Sequence, residues 1–336
     1  MNLVTFLTRE EARHPNVGAV LGDAVIDLEV ASTWAQGACN LSKQDVPASL
    51  LELIYMGPET WDYVRCILGN VAQAEDPLRL KGAGKKPVAF PRSSVRLLAP
   101  IRPLTLRDGY AFEQHVKTAN ANRGRDVPEE WYKFPIFYFS NPNSIFGPDD
   151  IIPYPSYTQA MDYELEIAVV IGKEGMDIKP EDAPDHIFGF TIFNDWSARD
   201  VQREEMKVGL GPAKGKDFAS SLGPTVVTLD ALNDRATERP SVYDLTMIAR
   251  VNGKELSRGN FKDIYWSFGD LIARASQSVM LYPGDVIGSG TLGTGCLLEL
   301  TKGEGPWLQG GDVVELEIER IGVLRNTISP SSVNSK

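Results

Sequence analysis

The stretch Asp162-Tyr-Glu-Leu-Glu-Ile-Ala-Val-Val-Ile-Gly172 constrains this chain more than any other. Its density of Val, Ile and Leu is that of a strand. Side chains two apart then share a face, so Tyr163, Leu165, Ile167, Val169 and Ile171 line one side. Asp162, Glu164, Glu166, Ala168 and Val170 line the other. Both sides turn apolar within a few residues, which places the strand inside a sheet covered on both faces. An unpaired carboxylate there costs several kcal/mol unless it is neutralised or bound to a cation. The tetrapeptide ELEI recurs at 315–318, where Glu315, Glu317 and Glu319 alternate cleanly with Val314, Leu316 and Ile318. That alternation is expected of a sheet with one face in water, and its acids read as solvated. Taken alone, Glu164 and Glu166 are also compatible with a surface face carrying incidental acids.

The rest of the chain supplies the sheet. ELEIAVVIG, GPTVVTLD, LTMIARVNGKEL, GDVIGSGTL, CLLELTKG and DVVELEIERIG are short, rich in Val, Ile and Thr, and bounded by Gly, Pro, Asn or Asp. Asn252-Gly253 is a two-residue hairpin signal. Helical stretches are few, so the expected class is mainly β with peripheral helices (α+β). At 336 residues the chain exceeds the usual domain of ~100 to 200 residues. Residues 80–98 gather Lys, Arg, Gly and Pro as a linker does. A small mixed domain with its linker is therefore expected over 1–95, and a larger one over 96–330. In the first, VGAVLGDAVIDL reads as short strands and SLLELIYMG as helix.

Composition narrows the function. A net charge of -11, without a basic stripe interleaved with aromatics, argues against nucleic acid. No run approaches the roughly 18 apolar residues of a membrane span. MNLVTFLTREEARHPN shows neither a basic lead nor a small-residue cleavage pattern, so a cytoplasmic protein is expected. Cys39, Cys66 and Cys296 are scattered, which suggests neither disulfides nor zinc, and they read as buried small hydrophobes.

Three histidines limit the choice of general base. His14 and His186 lie in polar surroundings, whereas His115 has Asp108 seven residues before it and Arg123 eight after. In IFNDWSARDVQ an apolar strand runs into Asp195, and Ser197 with Asp200 matches a capping box that would open a helix. Arg199 and Gln202 then share a helix face. Lys214 and Lys216 sit in the glycine-rich GLGPAKGKDF, and Glu299 is a lone acid in CLLELT, read as another strand. Asp108, Glu164, Glu166 and Asp195 would form an all-oxygen site suited to Mg²⁺, Mn²⁺ or Ca²⁺ if they converge. Gly288-Ser-Gly290-Thr-Leu-Gly293 matches the dinucleotide fingerprint but lacks the βαβ context, and reads instead as a turn closely approached by a ligand or a second backbone.

DGYAFEQH, DYELEIAVVIGK, FNDWSARDVQ, GPAKGKDF with SLGP, and GDVIGSGTLGTG occur in an order that resembles the fumarylacetoacetate hydrolase family over about residues 95 to 325. The resemblance implies a mixed β-roll catalytic domain, a small amino-terminal β-rich domain, a divalent cation and a homodimer. By motif, Asp108, Glu164, Glu166 and Asp195 look like the metal carboxylates. His115 looks like the base that activates water, with Glu299 orienting it. Arg199, Gln202 and Lys216 match polar groups around the substrate's oxygens, and Tyr110, Arg123, Tyr138 and Thr291 match further substrate contacts. The implied reaction is hydrolytic cleavage of a carbon–carbon bond in a 1,3-dioxo acid such as fumarylacetoacetate, with Lys216 stabilising charge or supplying a proton. Acylpyruvate hydrolysis and oxaloacetate decarboxylation are the alternatives within the family. A cation-dependent binding protein without turnover is the alternative outside it. REEMKVG after Gln202 has no tyrosine where the family enzyme carries one nearby, which leaves the substrate open.

Overall fold

The structure is a computed structural model and describes residues 1–9, 14–39, 41–42, 44–122 and 124–330. Its centre is the strand Leu165–Ile171, every residue of which is buried. Leu165, Ile167, Val169 and Ile171 enter one core, while Ala168 and Val170 enter another on the opposite face. The two-sided burial expected from the alternation is therefore observed. Antiparallel neighbours Ile187–Asp195 and Val286–Gly288 flank this strand. Beyond Val286–Gly288 the sheet continues through parallel Leu106–Gly109 to Phe137–Ser140. On the other side it passes through Ser220–Thr228 to the amino-terminal strand Asn2–Leu7, with Leu3 opposite Val226. From there Asn16–Leu21, Ala24–Asp27 and Ala89–Pro91 complete one edge of a 12-stranded sheet.

A second sheet of five strands runs Lys254–Asn260, Thr246–Val251, Val313–Ile318, Gly322–Ile328 and Ile151–Ile152. It shares the main core with the Leu165 face of the large sheet. There Phe190 meets Tyr243 and Phe261 meets Phe268 edge to face, and Phe190 meets Phe268 tilted. The opposite face of the large sheet is covered by helices Leu50–Met56 and Pro58–Ala72, whose Trp61 meets Phe188 at 4.9 Å between rings. The chain thus adopts the α+β class, although helix is more plentiful than the short apolar runs suggested.

The Asn252-Gly253 hairpin forms as expected, with Val251 opposite Lys254 and both turn residues at positive φ. Three local expectations are corrected. Leu297–Leu300 within CLLELT is a helical turn and not a strand. Helix Arg199–Val208 opens without the Ser197/Asp200 capping box: its N-cap is Ala198. The Asp200 carboxylate instead accepts from the Thr158 hydroxyl and, at 2.9 Å, from the Gln159 N–H, while Ser197 Oγ donates to the Asp195 carbonyl. Of the cysteines only Cys296 is buried; Cys39 and Cys66 are exposed. No helix among the described residues is long and apolar enough to cross a membrane.

Candidate active site

Three strands of the large sheet, two of them separated by Val286–Gly288, and the residue just before one of them deliver four carboxylates to one place. Asp108 lies in Leu106–Gly109, Glu166 in Leu165–Ile171, and Asp195 ends Ile187–Asp195. Glu164 precedes its strand, with its N–H on Asn194 Oδ1 at 3.0 Å. The register sets Gly288 beside Asp108 and Phe193 beside Glu166. Ligand atoms of the four acids all lie within 4.8 Å of one another, and none of the four residues is more than 4% exposed. Glycine is required at two places here. A Cβ on Gly288 would stand 2.5 Å from Asp108 Oδ1. Gly290, at φ +76°, presses against the Gly109 backbone and donates its N–H to Asp108 and Glu166 at 3.1 and 3.0 Å. The G-x-G-x-x-G stretch is thus a closely approached turn.

Cations meet only part of this negative charge. Lys216 Nζ lies 2.5 Å from Glu164 Oε2 and 2.6 Å from Asp195 Oδ2. Arg199 reaches Glu164 through Nη2 and Asp162 through Nε, both at 2.8 Å, and Gln202 Oε1 through Nη1 at 3.1 Å. The Tyr138 hydroxyl donates to Asp195 Oδ2. Burial pushes the Glu164 carboxyl up, but Lys216, Arg199 and His115 outweigh it and hold the group below the usual carboxylate range. Burial, then Asp195, raises Asp108 well above that range; burial, then Asp108, does the same for Glu166. Glu166 Oε1 and Asp195 Oδ1 are buried and meet no hydrogen-bond donor. Such oxygens, in an all-carboxylate set, fit a hard divalent cation with oxygen preference and do not suit zinc.

His115 comes from helix Glu113–Ala121 and is buried. Its Nδ1 lies 2.8 Å from Glu299 Oε1, at hydrogen-bonding separation though not in hydrogen-bonding alignment. Tyr110 meets the imidazole edge to face, 5.3 Å between rings. A cleft of about 310 Å³ gathers Asp108, Tyr110, His115, Tyr138, Glu164, Glu166, Arg199, Gln202, Lys216 and Thr291 on its wall. Asp195 and Glu299 join it through Lys216 and His115. Of the residues assigned a metal, catalytic or substrate role by the resemblance, Arg123 lies outside the described residues and the others converge here. Lys214 instead pairs with Asp217 at the surface, and His186 faces the Lys173 carbonyl.

Sequence reasoning missed the apolar part of the wall: Ile136, Phe137, Met206, Pro212 and Leu298. Met206 follows Gln202 by one helical turn, which is a usable signal. The segment carrying Ile136 and Phe137 has none, because its approach depends on strand pairing with Leu106–Gly109.

Residues 105–329 match the family model described as fumarylacetoacetate (FAA) hydrolase C-terminal. A fumarylacetoacetase of Oryza sativa subsp. japonica is 30% identical, over 87% of this chain and 80% of its own. The human protein named oxaloacetate tautomerase FAHD2A, mitochondrial, is 35% identical, over 87% of this chain and 84% of its own. The solved fumarylacetoacetate hydrolase of psychrophilic Exiguobacterium antarcticum superposes with a TM-score of 0.70 at 27% identity, covering 98% of this chain and 99% of that one.

Proposed function

The chain belongs to the fumarylacetoacetate hydrolase family, and on that premise we propose that it is a divalent-metal-dependent hydrolase cleaving a carbon–carbon bond in a 1,3-dioxo acid such as fumarylacetoacetate. The observation that carries this reading is the His115–Glu299 pair, 2.8 Å apart, whose His115 lines the same cleft as Asp108, Glu164 and Glu166. Asp108, Glu164, Glu166 and Asp195 would hold the cation. Bound there, Mg²⁺, Mn²⁺ or Ca²⁺ supplies positive charge that makes an enolate less costly to form.

The chain's own groups do the rest. With Nδ1 turned to Glu299, His115 accepts at Nε2 a proton from water while the water oxygen bonds to the distal carbonyl carbon. The bond from that carbon to the middle carbon of the dioxo unit then breaks, and its electron pair passes to the fragment that leaves as an enolate. Protonation of the middle carbon completes two products, a carboxylic acid from the attacked carbonyl and a shorter oxo compound from the enolate. Lys216, already charged between Glu164 and Asp195, offers stabilisation or the proton. Arg199, Gln202, Tyr110, Tyr138 and Thr291 are the groups that would orient the oxo and carboxylate oxygens. A small oxo acid and a second copy of this chain are the partners the reading implies.

A second reading has one observation in its favour, the 35% identity to a protein named oxaloacetate tautomerase. His115 would then carry a proton between carbon and oxygen, and no bond between carbons would break.

The deciding experiment follows the ultraviolet band of the enolised dioxo group in fumarylacetoacetate and in a short acylpyruvate, with Mg²⁺ and then with chelator. Chelator-sensitive loss of the band with two products by mass supports hydrolysis. Interconversion of keto and enol oxaloacetate at unchanged mass supports the tautomerase, and loss of carbon dioxide the decarboxylase.

A further inference from the structure

Asp162 belongs to no part of the chemistry above, yet it is fully buried and holds four donors on two oxygens. Oδ1 accepts from the Leu297 N–H at 2.8 Å and from the Tyr163 N–H at 2.9 Å. Oδ2 accepts from Arg199 Nε at 2.8 Å and from the Leu298 N–H at 3.0 Å. Leu297 and Leu298 begin the helical turn Leu297–Leu300, whose own N-cap, Cys296, makes no side-chain cap. A turn of four residues cannot hold itself together, because nucleating a helix fixes several residues for one hydrogen bond. Its first N–H groups are capped from the two-residue strand Met161–Asp162, more than 130 residues away in sequence. The turn carries Glu299, which faces His115. The same carboxylate grips Arg199, whose other arm holds Glu164 of the carboxylate cluster.

We propose that Asp162 is a positioning residue that ties the Glu299 turn to the Arg199 guanidinium, and so sets where the His115–Glu299 pair stands relative to the four carboxylates. This rests on reading His115 with Glu299 as the proton-accepting pair. The two halves of the site come from distant parts of the chain, and the Asp162 carboxylate bonds to both the Glu299 turn and the arginine that holds Glu164. Arg199 loses half of its countercharge without Asp162, and the turn loses both of its capping acceptors.

Asp162→Asn tests the link, because the amide has the same shape but turns its NH₂ either toward Arg199 Nε and the Leu298 N–H or toward the Leu297 and Tyr163 N–H groups, all of which need an acceptor. In its crystal structure Glu299 is expected to withdraw from His115 beyond hydrogen-bonding distance. Turnover of the oxo acid that the wild type accepts should fall about 10- to 100-fold, the usual cost of losing an orienting partner. Mg²⁺ affinity by calorimetry should stay close to wild type. In a Glu299→Gln background, Asp162→Asn should cost little more, because both changes break one route. An undisturbed Glu299–His115 contact, or losses that multiply in the double variant, would overturn the proposal. If Glu299→Gln alone leaves turnover intact, the reading of the pair fails, and the crystallographic distance still decides the role of Asp162. Should the asparagine variant not fold, Asp162→Ser, which keeps one acceptor for the turn, is measured in the same way.

Discussion

The two copies of ELEI share their apolar half and differ in their acidic half. Leu165 and Ile167 enter the main core from one sheet, and Leu316 and Ile318 enter the same core from the other. The glutamates point the opposite way, into unlike surroundings. Behind Glu166 lies a second core, packed under helices, and the residue is 0% exposed. Behind Glu317 lies water, with the side chain 36% exposed and a single arginine beside it. An identical tetrapeptide therefore supplies a hydrophobic wall in both places and a candidate metal ligand in one. What differs is whether anything covers the far face of the sheet.

The largest effect that could break this contrast is on cation binding. Glu166→Gln should weaken Mg²⁺ or Mn²⁺ by more than the 10- to 100-fold that loss of an outer partner costs, whereas Glu317→Gln should leave affinity unchanged. Calorimetric titration of both decides it, and equal losses would mean that the carboxylate cluster is not the metal site. Next come the apolar halves. Leu165→Ala and Leu316→Ala should each cost about 2 to 5 kcal/mol in denaturant unfolding, since both leave a cavity in the same core. A cost confined to one copy would show that the shared wall is illusory.

A smaller effect separates the buried acid by pH. Burial, then Asp108, raises the Glu166 carboxyl well above its usual value, so the metal-free folded protein keeps a proton that the unfolded chain releases near pH 4.3 or so. Stability from that proton is complete below the unfolded value and is lost as pH rises toward the folded one. Thermal unfolding in chelator should therefore show stability falling from pH 5 toward 8, and Glu166→Gln should flatten the fall. An unchanged slope would mean that neighbouring acids hold the proton instead.

Much of the site could be read from the chain because its logic is periodic. Alternation with both faces apolar singled out Glu164 and Glu166, and the i, i+3 spacing put Arg199 beside Gln202. The glycines of Gly288-Ser-Gly290 announced a close approach that Asp108 and the Gly109 backbone do make. Where local signals failed, a distant segment had overruled them. LLEL is too short to show a period, and its turn is capped by Asp162. Ser197 and Asp200 have capping-box spacing, but Thr158 and Gln159 claim the carboxylate. Pairing of Asn2–Leu7 with Ser220–Thr228 spans most of the chain and leaves no mark in either strand.

The second copy's acids are not merely solvated, because they have partners. Arg250 Nη1 lies 2.7 Å from Glu317 Oε2, and Arg325 Nε lies 3.8 Å from Glu315 Oε1, its cross-strand neighbour. Both pairs sit on a half-open face, where Coulomb attraction in high dielectric is offset by the ordering of two long side chains. Glu317→Gln should therefore cost about 0.2 to 1 kcal/mol at low salt. At 1 M salt, where the screening length shrinks to about 3 Å, the difference should vanish. Denaturant unfolding at both ionic strengths measures this. A cost near 3 kcal/mol that persists in salt would be the signature of a desolvated charge losing its partner. The two copies would then differ in which cation they hold, an arginine or a metal, and not in whether water reaches them.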